Sequence, residues 1–79
     1  MKQEELLEKV QRMVCQISGR EDCPPELDLM DEAGLSSIEI MSLLSALEDE
    51  YGVKIPSRDL RFVATVSDLA DLVWGKLEK

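Results

Sequence analysis

A chain of 79 residues is the size of one domain, and folding at this length buries only roughly 60% of the surface that the unfolded chain exposes. With 44% hydrophobic residues but a single Trp, Tyr and Phe, any core must be assembled from Leu, Val, Ile and Met. The net charge of −8 opposes binding to nucleic acid and to anionic membrane surfaces, no stretch approaches the ~20 apolar residues that span a bilayer, and no His is present.

Lack of His removes the commonest general base near neutral pH and with it every Ser-His or Cys-His arrangement, so no catalytic residue is assigned. The two cysteines, Cys15 and Cys23, lie eight apart without a second pair, which leaves no zinc site of ordinary spacing and no metal ligands to name. The N-terminal run MKQEELLEKV is charged and has no apolar signal core, and a cytoplasmic monomer is expected. In that compartment the cysteines are expected as free thiols, Cys15 half-buried in a helix and Cys23 in a loop, in preference to a disulfide.

In chain order, Leu6, Leu7, Val10, Met13, Val14 and Ile17 recur at helical spacing before Gly19, predicting an amphipathic helix over about 3–18. Residues 20–36 show no sustained period. Pro24-Pro25 blocks helix there, and Leu27, Leu29 and Leu35 alternate with acids, which predicts a long ordered loop pinned by leucines. The second helix is the clearest: Ile40, Leu43, Leu44, Leu47 and Tyr51 form one stripe, Ser36 with Glu39 is a Ser-x-x-Glu capping box, and Gly52 is the stop. After Ile55-Pro56, residues 57–62 have room for a short helix with Ser57 as N-cap and Leu60 and Val63 inward. Thr65 with Asp68 repeats the capping pattern, and Val66, Leu69, Leu72, Val73 and Leu77 carry a final helix to the C-terminus.

Four helices, one of them short, with a long first loop and no strand pattern, predict an all-α bundle spanning residues 1–79 as a single domain. Charge is distributed unevenly along it. Between Glu21 and Val53 there are ten carboxylates and no Lys or Arg, so the remainder of the chain is net +2. Such a field favours basic partner surfaces, although acidic surfaces also serve plain solubility.

Gly34-Leu35-Ser36-Ser37-Ile38-Glu39 places a serine in the first turn of the best-capped helix, after the acidic loop. A phosphate ester there would lie near unpaired backbone N–H groups and the positive end of the helix dipole, worth ~0.3–1 kcal/mol to a nearby anion. Gly34 leaves room for an approaching enzyme. Serine is also among the commonest helix caps, so the short motif by itself fits either role.

The segment Gly34-Leu35-Ser36-Ser37-Ile38 resembles the Gly-x-Asp-Ser-Leu signature of acyl carrier proteins. The similarity continues without a gap through Leu43–Tyr51, Ile55-Pro56 and Thr65-Val66, covering about residues 27–75, while the first helix matches in pattern only. The resemblance implies a four-helix acyl-carrier-type bundle with 4'-phosphopantetheine, taken from coenzyme A, attached at Ser37. Ser36 and Gly34 then flank the attachment point. Ser36 stands where the family usually has an Asp that helps the modifying transferase and its metal ion engage, so slower modification, or a dedicated transferase, is expected. Ala33 and Ile38 replace the usual leucines, and the uncharged Met41, Ser42 and Ser45 hint at a pathway outside bulk fatty acid synthesis.

On this reading the chain is substrate and escort for other enzymes, carrying acyl intermediates of fatty acid, polyketide or related biosynthesis as thioesters. Its implied partners are a phosphopantetheinyl transferase, an acyl- or aminoacyl-loading ligase, and synthase or acyltransferase enzymes with basic docking surfaces. They would contact Ile38 and Met41 and pair with Asp31, Glu32, Glu39, Glu48, Asp49 and Glu50. Cargo would lie near Leu47, Ile55, Leu60, Val63 and Leu69, with bulky Leu60 and Phe62 favouring a short or polar group. Two alternatives stay open: a peptidyl or D-alanyl type of carrier, and an acidic helical interaction module that is never modified.

Overall fold

The computed structural model describes residues 2–77. Helix α1 spans Gln3–Ser18, α2 Ser37–Tyr51 and α3 Val66–Leu77, with a 3₁₀ segment, η1, at Ser57–Phe62. The all-α, four-helix order is the one expected. The described part of the final helix stops at Leu77, and its expected continuation to the C-terminus lies outside the described residues.

Each of the three α-helices buries the centre of the stripe its spacing indicated. Leu6, Val10 and Val14 of α1, Ile40, Leu43, Leu44 and Leu47 of α2, and Val66, Leu69 and Val73 of α3 form one core, joined by Ala70 and Ile55. Leu7, Met13, Ile17, Tyr51, Leu72 and Leu77 pack half-buried around it, as does Trp74. Helix α1 packs more extensively on α3 than on α2. Helix α2 is the most open to solvent of the three α-helices, along the side away from the core.

The connection from Gly19 to Ser36 is irregular but tightly held. Leu27, Leu29 and Leu35 are all buried, each contributing ~1.5–3 kcal/mol of apolar burial to offset the ordering of the loop. Backbone bonds stitch it to the start of α3: the Leu29 N–H donates to the Ala64 carbonyl at 2.9 Å, Val66 to Leu27 at 3.1 Å and Ser67 to Pro25 at 2.8 Å. An isolated antiparallel bridge joins Asp28 and Thr65. The resulting radius of gyration, 11.3 Å, matches the ~12 Å of a compact domain of this length, so the loop is part of the packed body.

Two expectations about η1 are corrected. Pro56, not Ser57, is its N-cap, because the fixed φ of proline (here −61°) already provides the extended residue before the turn. Phe62 does not add bulk inward: it is 72% exposed with the Arg61 guanidinium 5.9 Å from its ring centroid, while Leu60 and Val63 are half-buried against the core. Lys76 of α3 ties η1 down through an ion pair to Asp59, 3.2 Å from Nζ to Oδ2.

Candidate functional site

The start of α2 is shaped by what precedes it. Buried Leu35 donates its N–H to the Leu29 carbonyl at 3.0 Å, which anchors the chain one residue before the cap. Gly34 has a φ of 73°, the left-handed region that costs other residues roughly 1–2 kcal/mol, and a side chain there would meet nothing within 4 Å. The bend into α2 therefore needs this glycine for its backbone, and the space above it is open.

Ser36 is the N-cap. Its Oγ accepts the Glu39 N–H at 3.2 Å, and the Glu39 carboxylate accepts the Ser36 N–H at 2.9 Å, completing the box read from the sequence. The first intrahelical bond runs from the Ile40 N–H to the Ser36 carbonyl at 3.0 Å. Of the N–H groups at this helix end, those of Ser37 and Ile38 have no acceptor among the described residues. Ser37 itself is exposed in the first turn, and its hydroxyl takes part in no hydrogen bond among the described residues. A free hydroxyl, two unpaired donors and open space over Gly34 fit a phosphodiester on Ser37, with Ser36 and Gly34 shaping the surroundings.

The expected partner-contacting residues divide by what their side chains already do. Ile38 is 76% exposed and Met41 48%, and Asp49, eleven residues after Ile38, shares its face of α2. Glu39 is occupied by the cap. Glu48 is half-buried and accepts the Ile55 N–H at 2.6 Å, holding the Ile-Pro turn against α2. Glu50 lies roughly a third of a turn round from Asp49, toward α1, where Lys9 approaches to 3.8 Å. In the loop, Glu32 accepts the Asp28 N–H at 2.8 Å, whereas the Asp31 side chain projects into solvent. Met30, 52% exposed, is a further apolar side chain open to solvent that the sequence reading did not single out.

Asp28 is the other residue missed. Its Oδ1 accepts the N–H groups of Met30 and Asp31 at 2.9 and 2.8 Å, and its carbonyl accepts those of Glu32 and Ala33, which makes it the organiser of the turn before Gly34. An Asp that hydrogen-bonds backbone two and three residues on is the Asx-turn signal that would have found it.

Between α2 and η1 lies a cleft of about 200 Å³ lined by Met41, Leu44, Ser45, Glu48, Ile55 and Ser57. Leu47, Ile55 and Leu69 of the expected cargo region are buried core. Among the described residues no group of three or more His, Cys, Asp or Glu converges on a metal-sized site, and no helix is long and apolar enough to cross a membrane.

The family model for the phosphopantetheine attachment site matches residues 8–73. The chain thus belongs to the acyl carrier proteins, carriers that hold a phosphopantetheine group and are not themselves catalysts. It is 35% identical to an acyl carrier protein of Thermosynechococcus vestitus over 98% of both chains. It is 32% identical to the meromycolate extension acyl carrier protein of Mycobacterium leprae, over 98% of this chain and 68% of that one. The crystal structure of the acyl carrier protein of Thermotoga maritima superposes with a TM-score of 0.80 at 28% identity, covering 99% of this chain and 93% of the other.

Proposed function

We propose that Ser37 is the attachment point of the 4'-phosphopantetheine arm, and that the chain shuttles acyl thioesters between cytoplasmic enzymes of fatty acid, polyketide or related biosynthesis. One observation carries this reading: an exposed serine hydroxyl at the N-terminal turn of α2, beside two backbone N–H groups without acceptors and open space above Gly34. In the modification step the Ser37 hydroxyl attacks coenzyme A on a transferase, a phosphodiester forms at Oγ, and the nucleotide portion leaves. Attached there, the arm supplies the terminal thiol that forms the thioester. The protein's share is to present Ser37 on a capped, rigid turn, to offer the Ser37 and Ile38 N–H groups to the phosphate, and to expose a docking face.

That docking face is assigned to Ile38, Met41, Asp31 and Asp49, whose side chains are exposed, with Glu39, Glu48, Glu50 and Glu32 contributing field more than direct pairing. Exposed ion pairs are worth ~0–1 kcal/mol each, so docking is weak and salt-sensitive, as a shuttle requires. The cleft between α2 and η1, which borders Ile55 of the expected cargo region, holds about 200 Å³, below the roughly 300–1,000 Å³ of small-molecule pockets, which supports short or polar cargo at that position. A long-chain thioester strongly protected from hydrolysis would count against that assignment.

One observation favours a second reading, an unmodified acidic interaction module: Ser36 occupies the place of the aspartate that assists the transferase. Intact mass after incubation with coenzyme A, magnesium and a broad-specificity phosphopantetheinyl transferase separates the two. A gain of one arm, lost in Ser37→Ala and kept in Ser36→Ala, is expected. No gain with several transferases would favour the unmodified module. Intact mass of the protein from its native host would then tell an acyl cargo from an aminoacyl or D-alanyl one.

A further inference from the structure

Cys15 and Cys23 play no part in the carrier site, yet the fold brings them together. Gly19, with a φ of 75°, reverses the chain at the end of α1, and the loop folds back along the helix it has just left. The Gln11 side-chain amide donates to the Cys23 carbonyl at 2.9 Å, fastening that residue to α1. Gln11 and Cys15 are four apart and share one helix face, and a helical side chain leans over the turn N-terminal to its own Cα. The Cys15 thiol is thereby directed at the level where Cys23 is held. Both residues belong to one apolar cluster, Cys23 2% exposed and Cys15 half-buried at its edge.

We infer that Cys15 and Cys23 form a reversible dithiol/disulfide pair, a modification site that locks the start of the acidic loop onto α1. With a glutathione disulfide as oxidant, the Cys15 thiolate attacks one of its sulfurs and releases one glutathione thiolate, which takes up a proton. The Cys23 thiol then gives up its proton and displaces the second glutathione from Cys15. Two protein thiols become one disulfide while one glutathione disulfide becomes two thiols, so electrons and protons balance.

The surroundings set a slow rate. A hydrogen bond with Cys23, then burial, then the Cys23 and Asp22 charges push the Cys15 thiol up to about 11, against the opposing pull of Arg20. Because only the thiolate attacks, closure should accelerate about tenfold per pH unit between pH 7 and 9. Closing so short a loop, nine residues from Cys15 to Cys23, should raise the melting temperature by about 10–20 °C.

The test uses the 79-residue chain with Ser37 unmodified, so that its only thiols are these two, incubated with oxidised glutathione, acid-quenched and weighed intact. A monomer lighter by two hydrogen atoms, with the higher melting temperature reversed by dithiothreitol, is expected; Cys23→Ser should stop at a single glutathione adduct on Cys15, and Cys15→Ser, whose remaining thiol is buried, should stay unmodified. A persistent glutathione adduct on the parent chain, a disulfide-linked dimer, no change in mass, or a closed form that melts no higher would overturn the inference.

Discussion

Replacing Ser36 and Ser37 one at a time should separate the stability of α2 from its chemistry, although the two serines are adjacent. Ser36→Ala removes the Oγ that accepts the Glu39 N–H at 3.2 Å and leaves that donor to water. Lost N-caps cost ~0.5–2 kcal/mol, typically about 1, and in a domain of this length each kcal/mol lowers the melting temperature by roughly 4–8 °C. Ser37→Ala removes a hydroxyl with no partner among the described residues from an exposed first-turn position, where alanine is at least as good a helix former. Its melting temperature should therefore stay within about 2 °C of the parent, surface changes of this kind costing within ~0.5 kcal/mol. Ser36→Asp keeps the cap and adds a charge favoured by the dipole but close to the Glu39 carboxylate, which should leave stability nearly unchanged. Calorimetry of the three variants, run beside the transferase mass assay, should give low stability with modification for Ser36→Ala, full stability without modification for Ser37→Ala, and full stability with faster modification for Ser36→Asp. If Ser37→Ala proved as destabilising as Ser36→Ala, the division of labour between the two hydroxyls drawn from the hydrogen bonds would be wrong.

Glu48→Gln should lower stability by about 1 kcal/mol in urea titration, because the Ile55 N–H at 2.6 Å loses a charged acceptor and keeps a neutral one; hydrogen exchange should speed up at Ile55 and leave α1 unaffected. Leu29→Ala, at a position 1% exposed, should cost ~2–5 kcal/mol, a core-sized loss that identifies residues 19–36 as structure; a loss under 1 kcal/mol would refute the packing described for the loop. Cys15 is raised in the fold above its ordinary value of 9.0, so its neutral form is favoured by folding. That stabilisation is complete below pH 9.0 and is lost as pH rises through about 11, with Tyr51, raised chiefly by burial, adding a loss in the same direction. Melting temperatures should fall over this range, and Cys15→Ser should reduce the slope.

Much of this protein was legible before any coordinates. Helix stripes such as Ile40, Leu43, Leu44 and Leu47 depend on a 3.6-residue period, and the Ser36–Glu39 and Thr65–Asp68 boxes depend on contacts three residues apart, so both are local and written into the sequence. The leucines of the first loop were visible for a similar reason, since only burial accounts for Leu27, Leu29 and Leu35 among acids and prolines. What a side chain does once the chain has folded was not legible. Glu48 and Asp49 read alike as adjacent acids, but a 100° step per residue sends one to the Ile55 N–H and the other to solvent. Phe62 read as bulk in the short helix but faces solvent, because which side of a six-residue 3₁₀ segment meets the bundle depends on tertiary contacts, such as the Asp59–Lys76 pair, that no local pattern encodes. The sequence alone determined the three α-helices, the capping boxes at the heads of α2 and α3 and the serine in the first turn of α2, all consequences of near-neighbour geometry. Only the tertiary structure decided which carboxylates remain free for partners and that Cys23 returns to the face of α1 bearing Cys15, since both depend on contacts between distant segments whose relative placement no local pattern encodes.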